Sequence, residues 1–216
     1  VALTRFFKWI DENRGLVPMT ELSLAVRLHE LRAQQEEFLG PSFQTIMAYN
    51  EHAALPHYSA SKESDATIGE KGILLVDSGG HYHGGTTDIT RTITLGLPTP
   101  QQRKDFTLVL KGHIALANAR FPMGTRGYQI DMLARKPLWD NGLNYGHGTG
   151  HGVGYCLSVH EGPQSISPAG NLTAIEPGML LSNEHDVSRD GEYGIRTASL
   201  IICYEDEETE FGPFLK

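Results

Sequence analysis

Asp77 and Asp88 lie in apolar, strand-like sequence, Leu75-Val76-Asp77-Ser78 and Thr87-Asp88-Ile89-Thr90, on either side of the glycine-rich stretch Gly79 to Gly85. Glycines between two such runs mark the turn of a β-hairpin. With the turn centred between Tyr82 and His83, antiparallel pairing sets Asp77 opposite Asp88. Two buried carboxylates so placed repel unless a positive charge neutralises them. A divalent cation supplies that charge, and one carboxylate could bridge two cations. The alternative pairs one aspartate with Arg91 and leaves the other in solvent.

His81 and His83 imitate a metal clip, but they sit at the hairpin tip, several residues of about 3.3 Å each from the acids. They read as solvent-facing imidazoles. A richer stretch follows in His147-Gly148-Thr149-Gly150-His151-Gly152-Val153-Gly154 and Val159-His160-Glu161-Gly162-Pro163. Its glycines let backbone approach a ligand closely, and neutral imidazole is both a metal ligand and a proton carrier. His57, alone in Leu55-Pro56-His57-Tyr58, reads as a loop histidine. Glu184 is a further acid on a mostly apolar run, Met179 to Asn183. Asp190-Gly191 signals a turn, and a turn centred on Gly191 puts Ala198 opposite Glu184, with Arg196 on the same face.

The elements that must carry these residues follow from periodicity. Leu3, Phe6, Phe7 and Ile10 predict a first helix. Thr20 caps a second, which should run to about Gly40-Pro41. A strand is expected over 44–49, a long polar loop over 50–71, and strands over 73–78 and 87–95. Pro100 opens a helix to about Ala119, and Tyr128 to Asp140 forms another, with Pro137 disturbing its last turn. Strands near 153–160, 179–185 and 194–204 complete the chain. Helices alternating with antiparallel hairpins predict an α+β fold with a coarse two-fold repeat.

The chain has 216 residues, enough for one large domain with its own core. A net charge of −8 argues against nucleic acid or an anionic membrane as partner. No apolar run reaches the roughly 18 residues of a membrane helix. Two cysteines and no leader sequence predict a reducing, cytoplasmic setting.

Together these motifs resemble the catalytic domain of aminopeptidase P, the Xaa-Pro aminopeptidase branch of the pita-bread metallopeptidases. The resemblance rests on Val76-Asp77-Ser78-Gly79, Gly85 to Thr92, His147 to Gly154 and Val159 to Pro163, and runs from about residue 3 to the end. It implies a pita-bread fold, a curved antiparallel sheet flanked by helices, over residues 1–216 as a single catalytic domain. The family's N-terminal domain and C-terminal extension would then be absent. It also implies two divalent metals, usually manganese, and hydrolysis of the bond between an N-terminal residue and a following proline. By motif, Asp77 resembles the chelating aspartate, Asp88 the bridging one, His151 the histidine ligand and Glu184 the first glutamate. His57, His147 and His160 match histidines that bind substrate or assist proton transfer, and Arg196 matches an arginine beside the last metal ligand. The implied partner is a peptide with proline at its second position.

Two departures stand out. Glu184-His185-Asp186-Val187-Ser188 replaces the family's Glu-Pro-Gly-x-Tyr, and Ile195-Arg196-Thr197-Ala198-Ser199 replaces Ile-Arg-x-Glu-Asn. The second bridging glutamate is therefore Ala198. One metal would keep Asp88, His151 and Glu184, and the other only Asp77 and a share of Asp88. His185 or Asp186 could substitute only if the backbone shifted. Three readings follow: an Xaa-Pro aminopeptidase impaired at the metal site, a non-catalytic peptide-binding module, or an engineered scaffold with a rewritten site. The last draws on His81, His83, His185, Asp186, Ser188 and Ala198.

Overall fold

A computed structural model describes residues 1–55 and 57–216. The chain opens with α1 (Ala2–Asn13) and α2 (Glu21–Ala33). Thr20 caps α2 reciprocally: its hydroxyl accepts from the Ser23 amide at 3.2 Å, and the Ser23 hydroxyl accepts from its amide at 2.8 Å. Strands β1 (Phe38–Gly40) and β2 (Ile46–Tyr49) follow, then a short 3-10 turn over Asn50–Ala54. Next come β3 (Gly72–Ser78), β4 (His81–Tyr82), β5 (Gly85–Thr86) and β6 (Ile89–Leu95). The second half repeats the scheme with α3 (Pro100–Ala117), β7 (Phe121–Pro122), α4 (Gly127–Trp139), β8 (Gly150–His151) and β9 (Ser165–Ile166). It ends in β10 (Leu180–Arg189), β11 (Tyr193–Ile202), β12 (Glu205–Thr209) and β13 (Gly212–Leu215).

The principal sheet has the order β10-β11-β6-β3-β2, every neighbouring pair antiparallel. The α+β expectation therefore holds, as does the two-fold echo of a helix pair followed by a hairpin. Alternation along the strands divides the sheet's faces. Leu74 and Val76 of β3 bury against Phe6, Ile10, Leu24 and Leu28 of α1 and α2. Val187 and Ile195 of β10 and β11 pack with Val109 and Leu138 of α3 and α4. Each such fully buried side chain contributes roughly 1.5–3 kcal/mol of transfer free energy. The intervening residues Asp77, Glu184 and Ala198 are thereby turned to the face away from the helices. Among the described residues no helix is long and apolar enough to cross a membrane.

Four expectations are corrected. The second helix stops at Ala33 instead of near Gly40-Pro41, because Glu37 turns left-handed (φ 63°) and Phe38–Gly40 is taken up as a strand beside β4. No strand forms over 153–160, where Gly152 and Gly154 press on the Glu161 and Ser158 carbonyl oxygens and the chain loops. The 87–95 strand begins only at Ile89, and the first hairpin turns between His83 and Gly84, one residue later than expected, because β4 and β5 pair His81 with Thr86 and Tyr82 with Gly85. Asp77 consequently faces Thr90, and Asp88 lies just beyond the Ser78–Ile89 pair. That slip of two residues leaves both acids on one face, since side chains alternate with a period of two.

Candidate metal centre

The registers of three strand pairs combine into one row across the sheet. Glu184 on β10 faces Ala198 on β11, Ala198 faces Thr90 on β6, and Thr90 faces Asp77 on β3. Directly paired residues share a face, so two acids stand at the ends of a row whose middle is short side chains. Asp88 enters this face from the residue preceding β6, and His151 enters it from β8. The β8 backbone is pressed onto β10: the Glu184 amide donates to the Thr149 carbonyl at 2.8 Å, and the His151 amide donates to the Ser182 hydroxyl at 3.0 Å.

Three of the expected residues converge. Asp88, His151 and Glu184 each offer one ligand atom, and these atoms all lie within 4.8 Å of one another. His151 Nε2 is 2.8 Å from Glu184 Oε1 and 3.4 Å from Asp88 Oδ2. His151 Nδ1 donates to the Gly152 carbonyl at 2.9 Å, which fixes the ring so that Nε2, the atom a metal would take, faces the acids. His151 Nε2 and Glu184 Oε1 are buried and make no hydrogen bond of good geometry among the described residues. Their approach is a charge contact around a common point, and two carboxylate oxygens with an imidazole nitrogen make a fitting donor set for a divalent first-row metal.

The electrostatics show that the acids draw positive charge to this point, where a bound cation would take the place of the His151 proton. Burial works against a charged His151, yet its contacts with Asp88 and Glu184 win and push its pKa up to about 10. Burial likewise opposes ionisation of Glu184, but His151 brings it down to about 2. Asp77 behaves differently. Burial, reinforced by the charges of Asp88 and Glu184, raises it to about 7 against the pull of Arg196. Asp77 stands outside the three-residue cluster, with Oδ2 3.3 Å from Arg196 Nη1. Both aspartates are buried, so the solvent-facing alternative fails. Arg91, the expected partner there, instead donates to the Ala198 carbonyl at 2.7 Å.

The remaining expected histidines are spread around this cluster. His160 stands edge-on to His151 with ring centroids 4.3 Å apart, and burial together with the His151 charge lowers its pKa. His57 is exposed, yet near enough for its charge to act in the same direction on His160. His147 points Nδ1 at the Gly148 carbonyl (2.7 Å) and Nε2 at Asp186 Oδ2 (3.1 Å). Burial is outweighed by Asp186, and the His147 pKa rises. His81 is partly buried beside the Thr86 hydroxyl and His83 is exposed, away from the cluster as expected.

Neither replacement residue joins the cluster. Asp186 is engaged with His147. His185 faces the opposite side of β10, fully buried against His113 of α3 and Tyr145. Sequence reasoning missed the support of the histidine loop: Arg135 of α4 donates to the carbonyls of Tyr145 and His147 at 2.7 Å each, and Asp131 pairs with Arg135 at 2.6 Å and accepts from the Thr149 hydroxyl. The i, i+4 spacing of Asp131 and Arg135 was its one local signal.

An antiparallel sheet backed by helix pairs, with carboxylates and an imidazole gathered on its other face, is the architecture of the pita-bread metallopeptidases. The chain belongs to metallopeptidase family M24, whose profile matches residues 1–205. It is 47% identical to a probable Xaa-Pro aminopeptidase P of Fusarium vanettenii, over 99% of this chain and 36% of that protein. It is 46% identical to aminopeptidase P1 of Arabidopsis thaliana, over 90% of this chain and 30% of that protein. Among solved structures it superposes with TM-score 0.92 and 38% identity on an X-prolyl aminopeptidase of Caenorhabditis elegans, described as a cytosolic enzyme with a di-nuclear active site. All of this chain is covered, and 35% of that one. The chain thus spans about a third of the length of these relatives.

Proposed function

We propose that this chain carries the catalytic centre of a metal-dependent hydrolase that removes the N-terminal residue from peptides with proline at the second position. The observation that carries this reading is the convergence of Asp88, His151 and Glu184 within 4.8 Å, with His151 Nδ1 tied to backbone. These residues would hold a divalent cation, and we favour manganese for its preference for oxygen-rich sites. When bound, the cation polarises the scissile carbonyl and acidifies a water molecule. The protein supplies the rest. Arg196 holds Asp77 in place behind the cluster. His160, kept neutral by burial and the neighbouring charge, is suited to accept a proton at the reacting centre. His147, held at both ring nitrogens by the Gly148 carbonyl and Asp186, is suited to border the bound substrate. His57, at an exposed turn, borders the approach. With Ala198 in the row, turnover should be slow.

Support for Xaa-Pro peptides as substrates comes from the names of the aminopeptidase P relatives. The net charge of −8 favours a partner other than nucleic acid or anionic membrane. The cytosolic description of the worm enzyme and the free Cys156 and Cys203 support a cytosolic setting. The test is release of the N-terminal residue from an Xaa-Pro peptide with and without Mn²⁺, using an Xaa-Ala peptide as control. We expect metal-stimulated, proline-dependent cleavage that rises in Ala198→Glu. No cleavage by either protein at saturating metal would defeat the proposal.

Ala198 also favours a second reading, a module that binds peptide without cutting it. Peptide affinity unchanged by EDTA would support it, and affinity lost with the metal would count against it.

A further inference from the structure

We infer that this centre binds one divalent cation instead of the pair described for its worm relative, an inference that rests on the metal-centre reading above. The row Glu184–Ala198–Thr90–Asp77 decides the matter. Neighbouring strands lie about 4.8 Å apart, so Glu184 and Asp77 are separated by three strand spacings. A pair of cations bound along that row needs more than the one carboxylate, Asp88, that reaches its middle. The residues of the row there are Ala198, which has no donor, and Thr90, whose neutral hydroxyl is a poor substitute for a second carboxylate. Ala198 is fully buried, its carbonyl taken by Arg91, so position 198 is fixed in the sheet and cannot bring in another group.

At the β10 end the donors are complete for one ion: Asp88, His151 and Glu184. At the β3 end they are not. Asp77 meets Arg196 through Oδ2, and its remaining buried oxygen, Oδ1, is the one atom it has left for a cation. A second ion would have that oxygen and a share of Asp88. It would also sit beside the Arg196 guanidinium, a permanent positive charge. Repulsion from a cation already in place and from Arg196 would act on the ion with the fewest donors. The other acid on this face within reach in sequence, Asp186, is held by His147.

The test counts metal without reference to turnover. The 216-residue chain is loaded with Mn²⁺, freed of excess by dialysis, and measured by elemental analysis and by electron paramagnetic resonance, in parallel with Ala198→Glu. We expect one equivalent in the parent with the six-line signal of an isolated Mn²⁺. In Ala198→Glu we expect two equivalents with an exchange-coupled signal. Two equivalents in the parent would overturn the inference and leave the metal-centre reading standing. No tightly held metal in the parent would overturn both. One equivalent in both proteins, with the variant folded by circular dichroism, would overturn the assignment of the limit to position 198.

Discussion

Gly150 lies so close to Ser182 that a Cβ added to it would sit 2.1 Å from the Ser182 carbonyl oxygen. The obstacle is backbone of β10, paired along its length with β11, which cannot yield without moving Glu184 two residues on. Gly150→Ala should therefore push β8, and His151 with it, away from β10. Disturbing the groups that orient a ligand typically costs about 10–100-fold in metal affinity, and a fall in that range is expected by competition against a chelating dye. Gly170→Ala, whose added Cβ would meet nothing within 4 Å, serves as the reference.

Glu184→Gln removes one of two carboxylates that face His151 at 2.8 and 3.4 Å. The amide is nearly isosteric and the protein should fold. Its metal affinity should drop by at least about 100-fold, more than a change behind the ligands would cause. Isothermal titration with Mn²⁺ measures this, and an affinity within a few-fold of the parent would remove Glu184 from the ligand set.

Asp105 ties α3 to the second hairpin. It is fully buried, accepts from Arg189 at 2.7 and 3.0 Å and from the Tyr193 hydroxyl at 2.8 Å. Burial opposes its ionisation, but these partners hold its pKa below the ordinary carboxylate value of 3.8. A depressed carboxylate stabilises the fold above its unfolded pKa and loses that contribution as pH falls through the folded value. Asp105→Asn should cost about 3 kcal/mol at neutral pH, as one side of a buried ion pair is removed. The gap between parent and variant should narrow below about pH 4, which urea unfolding at a series of pH values reads directly.

His185 acts in the same direction on acidification, as a buried base and not as a paired acid. Burial, with the charges of His113 and His147, pushes its pKa down to about 3. Between about pH 6.5 and 3 the unfolded chain takes up a proton that the folded one refuses, so stability falls on acidification by up to about 1.4 kcal/mol per pH unit. His185→Gln should lose stability less steeply between pH 6 and 4.5 by the same measurement. Equal slopes would show that His185 is not held neutral.

The second hairpin was fully legible from its residues and the first only in part. Asp190-Gly191 permits one turn, and the Glu184–Ala198 pair follows from it. Gly79, Gly80, Gly84 and Gly85 permit several turns, and a small ladder between β4 and β5 selected among them. The period of two forgave that slip, which kept Asp77 and Asp88 on the correct face. The Asp77–Arg196 pair was beyond local reading because it joins strands of different hairpins. The His147–Asp186 contact was hidden for the same reason, since a loop and a strand meet there from positions 39 apart in the chain. The strand expected over 153–160 failed because glycine placement there serves close backbone approach to Glu161 and Ser158, which periodicity does not register.

The two helix-pair-and-hairpin halves meet along β6 and β11, and that seam is sewn largely by side chains. The Thr92 hydroxyl donates to the Arg196 carbonyl at 2.8 Å and accepts from its amide at 3.0 Å, while Arg91 reaches the Ala198 carbonyl and the Ser199 hydroxyl. Asp77 and Asp88 belong to one half, and His151, Glu184 and Arg196 to the other. Neither half by itself owns a complete ligand set. Metal uptake is therefore a report on reassembly: two fragments cut in the connection between β6 and α3 would each be blind to the ion, and would see it only after finding one another.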